Sequence, residues 1–308
     1  MKIASIDIGS NTVLLLIAEV DLKDKRLHPV LNVYRMPRIS RGIDESKIIS
    51  ASSISNLLEV LSEYKIIIEK HNCSRVIVNA TQALRVAQNS EEIISAIKAK
   101  FEFDVNIISG NDEAYLSFLG AQSGFELDSS VIVIDIGGAS TEIVLGSNTE
   151  ILFQKSFPIG VVTMTEKYLD PPITDINLNI LEQYISEVLK EIINIDSTDA
   201  DVIAVAGTPT TLACAKQSLP EYSDEKVEGF KLSKNDLNDF ISVFKSMSSQ
   251  SIRNKYGEIM NGREDIILAG TVILHTALKI MGKESLYVSG RGLRYGAIID
   301  FMTSIDKG

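Results

Sequence analysis

The chain has 308 residues, 45% hydrophobic and 23% charged, with both charge signs interspersed and a formal net charge of −11. That balance excludes an intrinsically disordered chain, and an acidic chain without Lys/Arg clusters argues against a nucleic-acid-binding surface. The longest apolar stretches, VLLLIA near the start and ILAGTVIL near residue 270, are too short to cross a bilayer, and the distant Cys73 and Cys214 write neither a disulfide framework nor a zinc site.

The first predicted element is Ile3 to Val20, IASIDIGSNTVLLLIAEV. A β-rich run ends in an Asp-x-Gly turn of small polar residues, Asp7, Gly9, Ser10 and Asn11, and a second β-rich run follows. Because this strand starts directly after Met1-Lys2, no signal-peptide segment is expected, and a cytoplasmic location with reduced thiols follows. Ser50 to Asn72 carries Ile54, Leu57, Leu58, Leu61, Tyr64 and Ile68 at the spacing of one helix face. Arg75 to Thr81 reads as a buried strand, and TQALR leaves its carboxyl end, where ligand groups of α/β sheets gather. Arg85 is there either a phosphate-gripping fork or a surface arginine. A helix over Ser90 to Phe101 is expected with Ser90 as N-cap and Glu91 and Glu92 in its first turn. After the strand Val105 to Ser109, the chain turns at Gly110 into a helix opening with Asp112 and Glu113. Those acids either offset the helix dipole or supply a carboxylate that orients and deprotonates a water.

Val131 to Ser147, VIVIDIGGASTEIVLGS, repeats the opening construction, which suggests an internal duplication. Asp135, Gly137, Gly138 and Ala139 stand where Asp7, Gly9, Ser10 and Asn11 stand in the first copy. Since a strand follows the glycines, neither the P-loop nor the dinucleotide fingerprint applies. One reading is a backbone nest for phosphate oxygens, with hydroxyls from Ser140 and Thr141 and a hydrated divalent cation held by Asp135. The other is a surface hairpin whose glycines serve only positive φ.

In the second half, Thr174 to Asn194 reads as one long amphipathic helix with Thr174 as N-cap. Val202 to Ala206 is a buried strand, from which Gly207-Thr208-Pro209-Thr210-Thr211 turns into a helix whose first amides either bind an anion or form an ordinary β-to-α turn. Residues 216 to 257 are polar, with a helix over Ser233 to Met247. Arg263 to Met281 is expected as a helix and Leu286 to Ser289 as a strand. The Gly290 to Gly296 turn before the terminal helix holds Arg291 and Arg294, which either bind phosphate or solvate the turn.

Two such turns, one in each half of a duplicated α/β chain, resemble the actin, Hsp70 and sugar kinase superfamily. The blocks IDIGSNT, ATQALRVAQN, ISGNDEAYLSFLGA, VIVIDIGGASTEIVLG, VAGTPTTLA, GREDIILAG and VSGRGLRYG, in this order, are similar to the exopolyphosphatase and guanosine pentaphosphate phosphohydrolase family, Ppx/GppA. The resemblance implies two actin-like (ribonuclease H-like) α/β domains, each a mixed sheet flanked by helices, with an interdomain cleft. The expected domains are 1–122 with a returning helix at about 293–308, and 123–292. It also implies hydrolysis of the terminal phosphoanhydride of polyphosphate or pppGpp by water, with magnesium or another divalent cation. Glu113 takes the family's catalytic carboxylate position. Arg85 would stabilise the transferred phosphoryl group, and Gly9 to Asn11, Gly137 to Thr141, Gly207 and Thr208 would hold phosphate. Asp135, Asp7 and Glu113 would serve the metal, with Asp112, Glu142, Arg291 and Arg294 as auxiliaries.

Three departures from the family pattern stand out: Asp112 for a Glu, Ala139 for a third glycine and Tyr295 for a Glu. If position 139 needed positive φ, Ala would cost about 1 kcal/mol there. Longer family members carry a C-terminal helical domain rich in His and Asp that these 308 residues do not contain. The expected partners are polyphosphate or a guanosine polyphosphate, with no nucleic acid or membrane, and the protein is expected as monomer or homodimer. Two other functions remain open on these letters, a weakly catalytic nucleotide or polyphosphate sensor and a kinase of the wider superfamily.

Overall fold

The computed structural model describes residues 1–305 apart from 42, 44–46, 126–129, 148–149 and 195–198. The last three residues of the expected terminal segment, 306–308, lie outside the described residues. Two compact units divide the chain, one formed by Met1–Gly120 with the stretch from Leu293, the other by Ala121–Gly292.

The first unit is built on a five-stranded sheet of β1 (Lys2–Ile8), β2 (Val13–Asp21), β3 (Arg26–Arg35), β4 (Arg75–Ala80) and β5 (Val105–Ile107), in the order β3-β2-β1-β4-β5. β1 pairs antiparallel with β2 and parallel with β4, and β4 is parallel to β5. Both faces of the centre are covered, which is why β1 and β2 read as nearly continuous apolar runs. On one face Leu57, Leu61 and Tyr64 of the helix Ala51–Lys70 and Ile93 and Ile97 of the helix Ser90–Phe101 pack with Ile6, Ile8, Leu15 and Ile17. On the other, Tyr295, Ile298 and Met302 of the helix Leu293–Ile305 cover Ile3, Leu16 and Ala18. This terminal helix also meets the helix Gly110–Gln122, where Leu293 and Ala297 pack with Ile108 and Leu116. At their crossing, a Cβ added to Gly296 would lie 1.8 Å from the carbonyl oxygen of Leu116, so the two backbones approach with no room for a side chain.

One helix start differs from expectation. Asn89, not Ser90, is the N-cap of Ser90–Phe101, and it makes no side-chain cap bond. Its amide instead bridges Ile49, Oδ1 accepting from the Ile49 N–H at 3.1 Å and Nδ2 donating to the Ile49 carbonyl at 2.9 Å. A side chain that satisfies two backbone groups elsewhere is not free to cap.

The second unit carries a six-stranded sheet of β6 (Val131–Ile136), β7 (Thr141–Ser147), β8 (Glu150–Phe157), β9 (Asp201–Val205), β10 (Lys231–Ser233) and β11 (Ser285–Val288), ordered β10-β11-β9-β6-β7-β8. Its run β8-β7-β6-β9-β11 repeats the order β3-β2-β1-β4-β5, with β10 added antiparallel at the edge. The duplication suggested by the two Asp-x-Gly turns is therefore present as architecture. One large core gathers the sheet with the helices Val161–Tyr168, Asp175–Val188 and Ile267–Ile280.

The stretch ILAGTVIL is apolar all round because every residue from Ile267 to Leu274 is buried within this core. No helix among the described residues is long and apolar enough to cross a membrane. Thr174 caps its helix as expected, accepting from the Asn177 N–H at 3.3 Å. The helix ends at Val188 and gives way to a 3₁₀ turn, Lys190–Asn194, rather than running on. The expected helix from Arg263 likewise begins only at Ile267, because residues 261–266 form turns that carry Arg263 to another part of the unit.

Candidate active site

In the first unit the carboxyl ends of β1, β4 and β5 finish in step: the Thr81 N–H donates to Ile8 O at 3.2 Å and the Ile108 N–H to Ala80 O at 3.0 Å. The turn after β1 is closed by the Gly9 N–H donating to Thr12 O at 3.0 Å. Behind it, the carbonyls of Ser10 and Asn11 accept from the N–H groups of Ser40 at 3.0 Å and Arg38 at 3.1 Å. With those carbonyls held, the amides of Ser10 and Asn11 donate to no backbone carbonyl among the described residues, as an anion-binding nest requires.

Arg85 lies in the short helix Gln82–Val86 that leaves β4, and Glu113 in the first turn of Gly110–Gln122, which follows β5. They meet across 28 residues, Nη1 and Nη2 of Arg85 each 3.2 Å from Oε2 of Glu113. Glu113 is 7% exposed, and a carboxylate so buried needs the opposite charge that Arg85 supplies. The remaining donors of Arg85 are also engaged: Nε and Nη2 with Oε1 of Gln82 at 3.1 and 2.6 Å, and Nη1 with the carbonyl of Ile108 at 2.6 Å. The surface-arginine reading fails. Asp112 has a different job, since its Oδ2 accepts from the hydroxyl and N–H of Ser109 at 2.7 and 3.3 Å and so ties down the helix start.

The second unit builds its turn in a similar way. The Gly137 N–H donates to Ser140 O at 2.9 Å, while Gly137 O accepts from Val161 N at 3.0 Å and Gly138 O from Val162 N at 2.8 Å. Those bonds satisfy the first amides of the helix Val161–Tyr168. The amides of Gly138, Ala139 and Ser140 donate to no backbone carbonyl among the described residues. Neither Gly9 nor Gly137 has positive φ, so the positive-φ explanation of the glycines is overturned. Close approach explains them instead: an added Cβ would lie 2.9 Å from Thr12 O at Gly9 and 3.1 Å from Ser140 O at Gly137. Ala139 also lacks positive φ, so its replacement of a glycine brings no backbone penalty.

Thr141, expected to offer its hydroxyl to phosphate, instead donates it to the Ile159 carbonyl at 2.6 Å, because the chain entering the helix at Val161 passes directly behind the turn. Gly160 lies so close there that a Cβ would be 2.4 Å from the Ala139 amide nitrogen. Asp135 and Glu142 face one another in the β6-β7 register. Glu142 is 1% exposed and accepts from the Ser156 hydroxyl at 2.6 Å.

At the end of β9, Gly207 and Thr208 open the helix Gly207–Lys216. Sequence reasoning missed the residue that organises this turn, Arg263, whose Nη1 donates to the Gly207 carbonyl at 3.0 Å and to the Thr211 hydroxyl. A Cβ added at Gly207 would lie 2.9 Å from the guanidinium carbon, so a side chain there would push Arg263 aside. The residue before it, Ala206, is held at φ 80 and ψ −167, a region that is nearly glycine-only. Ala206→Gly is therefore expected to raise the melting temperature by about 2–4 °C, for roughly 1 kcal/mol of net relief. A thermal melt measures it, and an unchanged or lower melting point would show that the backbone there is not strained.

The SGRG turn after β11 depends on Glu228, also missed because it lies in an uninformative polar stretch. Its carboxylate accepts from the Ser289 hydroxyl at 2.7 Å and the Gly290 N–H at 2.9 Å. Gly292 brings the turn beside Asp135, with Oδ2 3.9 Å from an added Cβ. Arg291 is tied to the Ser123 carbonyl at 2.9 Å. Arg294, expected in a solvated or phosphate-binding turn, is helical and 7% exposed, with its guanidinium 5.5 Å from the Tyr295 ring. Tyr295 itself is a core residue of the first unit, 3% exposed.

Among the described residues no three His, Cys, Asp or Glu side chains converge as a metal cage. A hydrated divalent cation can be held by one or two carboxylates with its remaining ligands from elsewhere, and Asp135 and Glu142 stand directly opposite one another in the β6-β7 register.

The sequence profile of the Ppx/GppA phosphatase family matches residues 16–305. A bifunctional 3-dehydroquinate synthase/phosphatase of Fusobacterium nucleatum is 32% identical over 96% of this chain, which spans about half, 46%, of that protein. Exopolyphosphatase 2 of Mycobacterium tuberculosis is 30% identical, covering 89% of this chain and 88% of its own length. Among solved structures, a Ppx/GppA family member from Aquifex aeolicus superposes with a TM-score of 0.84 at 29% identity over 99% of both chains.

Proposed function

We propose that this chain, which belongs to the Ppx/GppA phosphatase family, is a phosphoanhydride hydrolase that releases the terminal phosphate of linear inorganic polyphosphate, or of pppGpp to give ppGpp. The observation that carries the reading is the Arg85–Glu113 pair, a buried carboxylate met by a partly buried guanidinium at the carboxyl end of the first unit's sheet, in step with the Gly9 turn. A carboxylate there can accept the proton of a water as that water attacks the terminal phosphorus in line. The amides of Ser10 and Asn11 offer one anion-binding nest, and those of Gly138, Ala139 and Ser140 a second. Asp135, with Glu142 opposite it in the β6-β7 register, would hold a divalent cation such as magnesium. When bound, that cation would neutralise charge developing on the phosphoryl group.

Two observations weaken the sensor alternative. Ala139 leaves the turn unstrained and Tyr295 packs in a core, so neither departure touches the chemistry. The kinase alternative loses ground to a buried carboxylate suited to activating water.

The test is phosphate release by purified protein with magnesium from short polyphosphate, long polyphosphate, pppGpp and ATP. Release from polyphosphate or pppGpp is expected. Tight binding without release would instead favour a sensor, and loss of ATP only with an added acceptor would favour a kinase.

A further inference from the structure

The pairing of Arg85 with Glu113 rests on a third side chain that the hydrolytic reading leaves unassigned. A guanidinium has five N–H donors, and here all five bonds are accounted for: two to Gln82, two to Glu113 and one to the Ile108 carbonyl. Their distribution matters more than their number. The Nη1/Nη2 edge faces Glu113, whereas the Nε/Nη2 edge, one of the two that can grip a phosphate with parallel bonds, is covered by the single oxygen Oε1 of Gln82. Gln82 and Arg85 stand one turn apart on the same short helix, so this contact is set by local geometry.

We infer that Gln82 is a positioning residue, a placeholder that aims Arg85 at Glu113 and yields its edge of the guanidinium to the incoming phosphate. The inference rests on the hydrolytic reading above. A neutral amide oxygen is suited to this exchange. It holds the guanidinium firmly enough to fix its direction, yet a phosphate oxygen with full negative charge makes the stronger bond and displaces it. An acidic residue at the same place would hold Arg85 against substrate, and an apolar one would leave it unaimed.

The two cases make opposite predictions, which a structural role for Gln82 would not. Gln82→Met keeps length and helix propensity but removes the acceptor. Its kcat should fall about tenfold, the order expected for losing hydrogen bonds to a charged group, while KM stays level or drops because the phosphate edge is already open. Gln82→Glu keeps an acceptor at the same reach, so kcat should stay within about twofold of the parent while KM rises several-fold, because the phosphate must displace a charged partner. Steady-state kinetics on whichever substrate the unmodified protein hydrolyses, with melting curves for both variants, provide the test. Parent-like kcat in Gln82→Met, or the same joint loss of kcat and KM in both variants, would overturn the assignment. If the unmodified protein releases no phosphate from any substrate while folding normally, it is the hydrolytic reading that fails.

Discussion

Glu113→Gln is expected to lower the turnover number by two to four orders of magnitude, roughly, while leaving the fold in place. The amide keeps an oxygen that can accept from Arg85 but cannot take a proton from water. The loss should appear in kcat far more than in KM, because the proton is transferred only as water attacks. Asp112 is a poor substitute base, since its carboxylate is engaged by Ser109 at 2.7 Å. Initial rates of phosphate release by parent and variant at equal concentration, with matched circular dichroism spectra, decide it. A variant that kept most of the parent's rate would mean that some other group activates the water.

The largest expected effect on stability comes from a residue outside the chemistry. Gly296→Ala should cost about 3 kcal/mol, at the upper end of what overpacking usually costs, because the new methyl would fall 1.8 Å from the Leu116 carbonyl oxygen. That neighbour is backbone in the middle of a helix and has no rotamer to change, so the terminal helix must move away. Moving it uncovers Ile3, Leu16 and Ala18 on one side and disturbs Leu116 on the other, one turn from Glu113. A drop in melting temperature of roughly 6–12 °C is expected, together with lost activity. Gly229→Ala makes the control: it has φ +74 but nothing within 4 Å of an added Cβ, so it should lose only about 1 kcal/mol. Similar losses in the two variants would show that the helix crossing has slack.

Much of the fold is legible because its central strands are buried on both faces. IASIDI and VIVIDI leave little room for a polar residue before the turn, and the aspartate at each strand end is conspicuous for that reason. The edge strands are not legible. β3, RLHPVLNVYR, is half-exposed and contains a proline, and β8, EILFQKSF, alternates weakly, so neither carries the apolar signature of the centre. Local caps are readable where one side chain meets a backbone amide three residues on, as at Thr174. They fail where the side chain finds a distant partner, as Asn89 does in Ile49.

The candidate site divides in the same way. Arg85 and Glu113 can be singled out from their places after strands, yet nothing in the sequence says that both bonds from Nη1 and Nη2 converge on one carboxylate oxygen, or that Gln82 covers the neighbouring edge. Arg263 and Glu228 are invisible to a linear reading because their partners, Gly207 and Ser289, lie 56 and 61 residues away. Tyr295, by its letters a departure near a phosphate turn, proves to be packing.

What the sequence determined alone is the set of local conformations: two β-turn-β constructions with an aspartate at each strand end, the helices between them, and an acidic pair at a helix start. Backbone sterics, periodicity and short-range hydrogen bonds act over a few residues, so they can be read from neighbours. What only the tertiary structure decided is which of those groups meet, which turn amides are left available, and which glycines sit where no side chain fits. Those outcomes depend on close packing between segments far apart in the chain, where a shift of an ångström separates a contact from a clash.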